Sequence, residues 1–149
     1  MGTPIPVEKP GSTDPEPQVS QGRVDLAAAL RWAVRLGLSE GVDNHFSMAV
    51  PDEDGVVRGN RFLINPYGWL FDEITASSLV KVNEDGQIVD PGATNNVNPA
   101  GFTIHSAVHM AREEAGAVLH LHAADGVAVS AHPEGVLPLS QTAMLVRPH

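Results

Sequence analysis

The stretch "AVLHLHAADGVAVSA", Ala117 to Ala131, carries two histidines separated by a single leucine. Side chains alternate faces along a strand, so His120 and His122 point one way and Leu121 the other. Two imidazoles on one face repel each other when both are charged, yet they suit a shared divalent cation. The competing reading is a half-buried strand whose imidazoles only satisfy hydrogen bonds, and spacing alone does not separate the two. Zinc ordinarily takes at least three protein ligands, so the pair would have to recruit another.

His105 and His109 form a second pair, at i and i+4 on one helix face. The spacing is that of the histidines in HExxH, but Ser106, Ala107 and Val108 stand between them and the glutamate is absent. No metalloprotease motif results. The expectation is that His105 packs under a sheet and His109 lies at the surface, neither acting as a ligand. "NHFS" (Asn44 to Ser47) and "INPYG" (Ile64 to Gly68) are polar turns at strand ends. Each is either plain turn chemistry or a cradle of N–H groups and small side chains for a phosphate or carboxylate. "DEITASS", Asp72 to Ser78, reads as a helix cap.

These residues need elements to hold them. Residues 1–22 are rich in proline and poor in large apolar groups, which predicts a flexible arm ahead of a domain spanning 23–149. "RVDLAAALRWAVRLGL" sets Val24, Leu26, Ala27, Leu30, Ala33, Val34 and Leu36 along a helical stripe that stops near Gly37. Strands follow. Phe46, Met48 and Val50 alternate with Ser47 and Ala49, "RFLINPYG" ends in a turn, and "LVKVNEDGQIVD" reads as a short hairpin. Asn98 and Pro99 open a second helix as N-cap and first residue, with Gly116 as its stop. Next come the strand "AVLHLH", a small-residue segment suited to a close-packed helix, and "TAMLVRPH", which reads as the start of a further strand. That last reading implies a C-terminally truncated chain whose open edge favours association. The element order predicts an α/β protein with helices packed over a sheet.

Composition bounds the possibilities. At 149 residues, 42% hydrophobic and 18% charged, the chain is the size and make-up of one globular domain. A net charge of −9 argues against nucleic-acid binding through a basic surface. The absence of cysteine excludes disulfides, thiolate zinc sites and cysteine nucleophiles. No run approaches the roughly 18 apolar residues of a membrane span, and the N-terminus lacks the apolar core of a secretory signal. Gly2 follows Met1, but Pro6 stands where a myristoylation signal needs Ser or Thr. A cytoplasmic location with no membrane partner is the default expectation.

Taken in order, "DNHFS", "FLINPYGWLFDEITASSLVKVNEDGQIVD", "NPAGFTIHSAVHMAR", "AVLHLHAADGVAVSA" and "GVLPLSQTA" resemble the class II aldolase/adducin family. The resemblance runs from about Arg23 to the chain end and is strongest to bacterial adducin-like proteins and adducin heads. It implies a three-layer α/β/α sandwich around a mainly antiparallel sheet, assembled as a homotetramer. It also implies a divalent metal, zinc first and manganese or iron otherwise, held by a His-x-His strand and a third histidine further on. His120 and His122 match the first two; the third is expected past residue 149, and His149 lacks its context. Family enzymes include lyases of sugar phosphates, so the implied substrate is a small hydroxy-carbonyl or hydroxy-carboxylate compound. Asn44, Ser47, Asn65 and Gly68 fall where the family lines its substrate-anion site. One departure stands out: the aldolases carry a "PSSE"-like acid/base segment where this chain has "NPAG", Asn98 to Gly101. The alternative function is therefore a non-catalytic, adducin-like interaction domain.

Overall fold

A computed structural model describes residues 16–90 and 93–146. Most of the expected N-terminal arm, residues 1–15, lies outside the described residues.

Helix α1, Glu16–Arg35, begins seven residues before the sequence pattern places it. Val19, Gly22, Leu26, Leu30 and Ala33 recur at intervals of three and four, so they form one stripe, and all are buried. Val24 and Leu36, expected in that stripe, are 54% and 57% exposed because their positions rotate off it. The helix ends in a Schellman pairing: Leu38 N–H donates to the Ala33 carbonyl and Gly37 N–H to that of Val34. Gly37 takes φ +69°, the left-handed conformation this cap needs.

Four strands form one antiparallel sheet: β1 (His45–Ala49), β2 (Arg61–Ile64), β3 (Val80–Asn83) and β4 (Ala117–His120), in the order β3-β2-β1-β4. The expected returning strand after β3 is reduced to one bridge, Val82 to Ile88. A 3₁₀ turn, Ala76–Ser78, is capped by Thr75, whose hydroxyl accepts from Ser78 N–H while Ser78 Oγ accepts from Thr75 N–H. The cap read from "DEITASS" is therefore present.

Helix α2, Pro99–Ala111, starts where the sequence says it should, with Asn98 Oδ1 accepting from the N–H groups of Ala100 and Gly101. It stops at Arg112, short of Gly116. Helices α1 and α2 cover opposite faces of the sheet, giving the α/β/α layering. Under α1 lies an apolar core of Leu26, Leu30, Phe46, Val50, Leu63, Phe71 and Ile74. Under α2 a smaller cluster, Phe62, Ile64, Val80 and Val82, fills only the β2–β3 half, with Phe102 against it.

Helix α3, Ala124–Ser130, follows β4 as the small residues suggest, but none of its residues is buried among the described residues. The segment expected as a strand near the end is instead helix α4, Gln141–Val146. An apolar run of four, Ala143 to Val146, has no readable period, so it cannot declare itself helix or strand.

Candidate functional site

The other half of the sheet face under α2 is lined by imidazoles. In β1, His45 and Ser47 share the face that α2 covers, while Phe46 and Met48 turn towards α1, as strand alternation demands. Register then sets His45 directly opposite His120 on β4. Their rings stack, with centroids 4.5 Å apart and planes 12° from parallel.

His120 and His122 do share a face. Their Nε2 atoms face each other at 2.8 Å, with the rings at 84°. His122 lies just past the last residue of β4, where Asn44 takes over from the ladder: Asn44 Oδ1 accepts from His122 N–H at 3.1 Å. Asn44 is itself held, its Nδ2 donating to the Glu40 carbonyl and its own carbonyl accepting from Asn65 Nδ2 at 3.3 Å. Asn65 Oδ1 in turn accepts from Phe46 N–H at 2.9 Å. Both amides, read from sequence as anion-site residues, are buried and engaged within the protein, where they brace the backbone that carries His122. Gly68 lies apart in an exposed turn with φ +82°.

Helix α2 adds two more imidazoles. His105 and His109 are both fully buried, so the expectation of a surface His109 is overturned. Residues four apart on a helix lie on one stripe, so docking His105 on the sheet carries His109 in with it. His105 Nε2 meets His45 Nδ1 at 2.7 Å, and its Nδ1 pairs with Ser47 Oγ. Ser47 Oγ also pairs with His109 Nε2 at 2.8 Å, and His109 Nδ1 lies 3.0 Å from the Ala115 carbonyl. Ser47, expected at an anion site, is fully buried between two histidines. Two glycines permit the close docking. A Cβ on Gly59 (φ +78°) would fall 2.4 Å from the His109 carbonyl oxygen, and one on Gly101 would fall 2.9 Å from the His45 ring.

Burial sets the electrostatics. It lowers the His45 pKa to about 4, helped by the neighbouring charges of His120 and His122, and lowers that of His105 to about 3. Burial also holds His109 and His120 below the ordinary histidine value. These rings are neutral at neutral pH and carry one lone pair each.

The donor set fits a metal only in part. Zinc sits about 2.0–2.1 Å from an imidazole nitrogen, so two Nε2 atoms 2.8 Å apart can both reach one ion. His45 does not complete that set: a ring stacked nearly parallel on His120 sends its lone pair alongside rather than towards the same point. Among the described residues no group of three His, Cys, Asp or Glu converges for a metal. The pair fits two positions of a metal site.

The family described as Class II Aldolase and Adducin N-terminal domain matches residues 24–148. The chain belongs to the class II aldolase/adducin family. A Caulobacter vibrioides relative, whose name assigns it to the class 2 aldolases only provisionally, is 52% identical over 86% of this chain and 48% of its own. Mouse alpha-adducin is 49% identical over 82% of this chain and 16% of its own. Among solved structures, an aldolase II superfamily protein from Pseudomonas syringae aligns with TM-score 0.77 and 50% identity, over 86% of this chain and 50% of that one. The chain thus spans about half the length of the bacterial class II aldolase/adducin relatives it matches. Among the described residues no helix is long and apolar enough to cross a membrane.

Proposed function

We propose that the protein is a divalent-metal-dependent member of this family, a lyase acting on a small hydroxy-carbonyl or hydroxy-carboxylate substrate. The observation that carries this reading is the convergence of His120 and His122 Nε2 atoms at 2.8 Å. Both would hold the ion, zinc in first place and manganese or iron otherwise, with a third ligand from outside the described residues. The bound ion would supply Lewis-acid polarisation of the substrate's carbonyl and hydroxyl oxygens. The chain's own residues do the positioning: Asn44 and Asn65 fix the backbone at His122, and the β1–β4 register fixes His120. Homotetramer assembly and a cytoplasmic location go with this reading.

Elemental mass spectrometry on freshly purified protein tests it. Near-stoichiometric zinc, manganese or iron, lost in His122→Ala, is expected; a wild-type protein that binds no divalent metal overturns the reading. A second reading, an adducin-like interaction domain without chemistry, is favoured by two observations. One is the alpha-adducin identity; the other is Gly101, which puts hydrogen where the aldolases' acid/base segment would place a carboxylate. Both metal histidines being in place weighs against it.

A further inference from the structure

The imidazoles under α2 form a chain with a fixed direction. It starts at the Ala115 carbonyl, which can only accept, so His109 donates from Nδ1. A neutral His109 then has a lone pair on Nε2, and the Ser47 hydroxyl must donate to it. With its proton committed, Ser47 Oγ accepts from His105 Nδ1–H. That leaves the lone pair of His105 on Nε2, so His45 donates from Nδ1. The remaining nitrogen, His45 Nε2, is a lone pair.

Each step requires a neutral ring. His105, His109 and Ser47 are fully buried, and the hydrogen bonds of the chain include no carboxylate, so a proton added anywhere in it would be an unpaired buried charge.

His45 Nε2 has no hydrogen-bond partner among the described residues, although the residue is only 5% exposed. It is not sealed away either, for the one buried unpartnered side-chain atom among them is Asn60 Oδ1. The ring stacks on His120 and rests on Gly101 through its Cγ–Cδ2 side, which a Cβ there would push away. A directed lone pair beside two converging imidazoles is an acceptor awaiting a donor.

We propose that the chain Ala115–His109–Ser47–His105 holds His45 in the Nδ1–H tautomer and that His45 Nε2 accepts a hydrogen bond from a hydroxyl of a small polyol or hydroxy-carbonyl ligand. The ligand class rests on the function proposed above; the tautomer does not. His45 is then the ligand-contacting residue, while His105, Ser47 and His109 are positioning residues.

Long-range nitrogen–proton correlation NMR on ¹⁵N-histidine-labelled protein at neutral pH, metal-free and zinc-loaded, reads each tautomer directly. His45, His105 and His109 are expected to be Nδ1–H throughout. Ser47→Ala should leave His109 as it is and turn His105 and His45 into mixtures of tautomers. Titration with dihydroxyacetone should shift the His45 Nε2 resonance of the wild type and not that of Ser47→Ala. A wild-type His45 protonated on Nε2 overturns the proposal, whether or not the variant folds. A wild-type His45 Nε2 unmoved by dihydroxyacetone overturns the ligand contact. A correct tautomer and a dihydroxyacetone shift in a protein that binds no metal would uphold this proposal while the metal reading falls.

Discussion

Under α1 the sheet presents Phe46, Val50 and Leu63 to Leu26 and Leu30, while under α2 the same β1 strand presents His45 and Ser47 to His105 and His109. One five-residue strand, "HFSMA", serves both faces by alternation. Both interiors are largely buried, yet they follow different rules. The apolar face asks only for volume and shape, and tolerates exchange of one aliphatic for another at modest cost. The imidazole face asks that every donor meet an acceptor, because an unpaired buried polar group costs about 1–3 kcal/mol. The family resemblance of this chain therefore has two separable contents: a fold held by the α1 face, and chemistry held by the other.

The largest expected difference between the faces is their response to acid. In the unfolded chain His45 and His105 take up protons near pH 6.5; folded, they resist to about pH 4 and about pH 3. Above pH 6.5 both states are neutral and nothing is lost. As the pH falls from 6.5 towards 4 the unfolded state binds protons that the folded state refuses, so stability drops by on the order of 1 kcal/mol per pH unit for each group. The Asp43 carboxylate eases His45 towards its charged form. Urea unfolding of metal-free protein at pH 7, 6, 5 and 4 should show this decline, and it should shrink when His45 and His105 are both replaced by Gln, leaving the part that buried His109 and His120 contribute. A flat profile in the wild type would mean that the imidazole face is not closed.

Truncating the other face should give an effect that ignores pH. Leu30 is fully buried at the centre of the α1 core. Leu30→Ala removes its methyl groups and leaves a cavity, at a cost of about 2–5 kcal/mol in the urea experiment. The loss should be the same at pH 7 and pH 5, and the fraction still folded should keep its wild-type histidine tautomers. Tautomers disturbed by Leu30→Ala would show that the two faces are coupled through the sheet.

The two faces were not equally legible in the sequence. Leu26, Leu30, Phe46 and Val50 declare themselves because an apolar period needs no partner to be read. The shared face of His120 and His122 is local too, since two residues apart on a strand is enough. The α2 start was legible because Asn98 and Pro99 act on backbone groups within one turn. The imidazole face as a whole was not. It exists only once β1 pairs with β4 and α2 docks across β1, which brings together residues about 60 and 75 positions apart in the chain. One signal was there to be used. Residues at i and i+4 lie close to one stripe of a helix, so placing His105 under the sheet pointed to His109 lying there as well. The alternation that faces Phe46 to the core likewise put His45 and Ser47 together on the opposite face.

The smallest effect probes where the faces meet the helix that divides their fates. Asn98 caps α2 by accepting from Ala100 and Gly101 N–H, and Gly101 is the residue against which the His45 ring rests. Asn98→Ala should cost about 1 kcal/mol, the ordinary value of an N-cap. The informative part is where that loss is felt. His105 lies one turn beyond Gly101 and keeps its bonds to His45 and Ser47, so the relay should survive while the first turn frays. Hydrogen exchange should therefore quicken at Ala100 to Phe102 and leave Val108 to Ala111 unchanged, with His109 still Nδ1–H. If exchange rises along the whole helix, α2 is held by its cap rather than by its imidazoles. The polar face would then be carried by the helix instead of anchoring it.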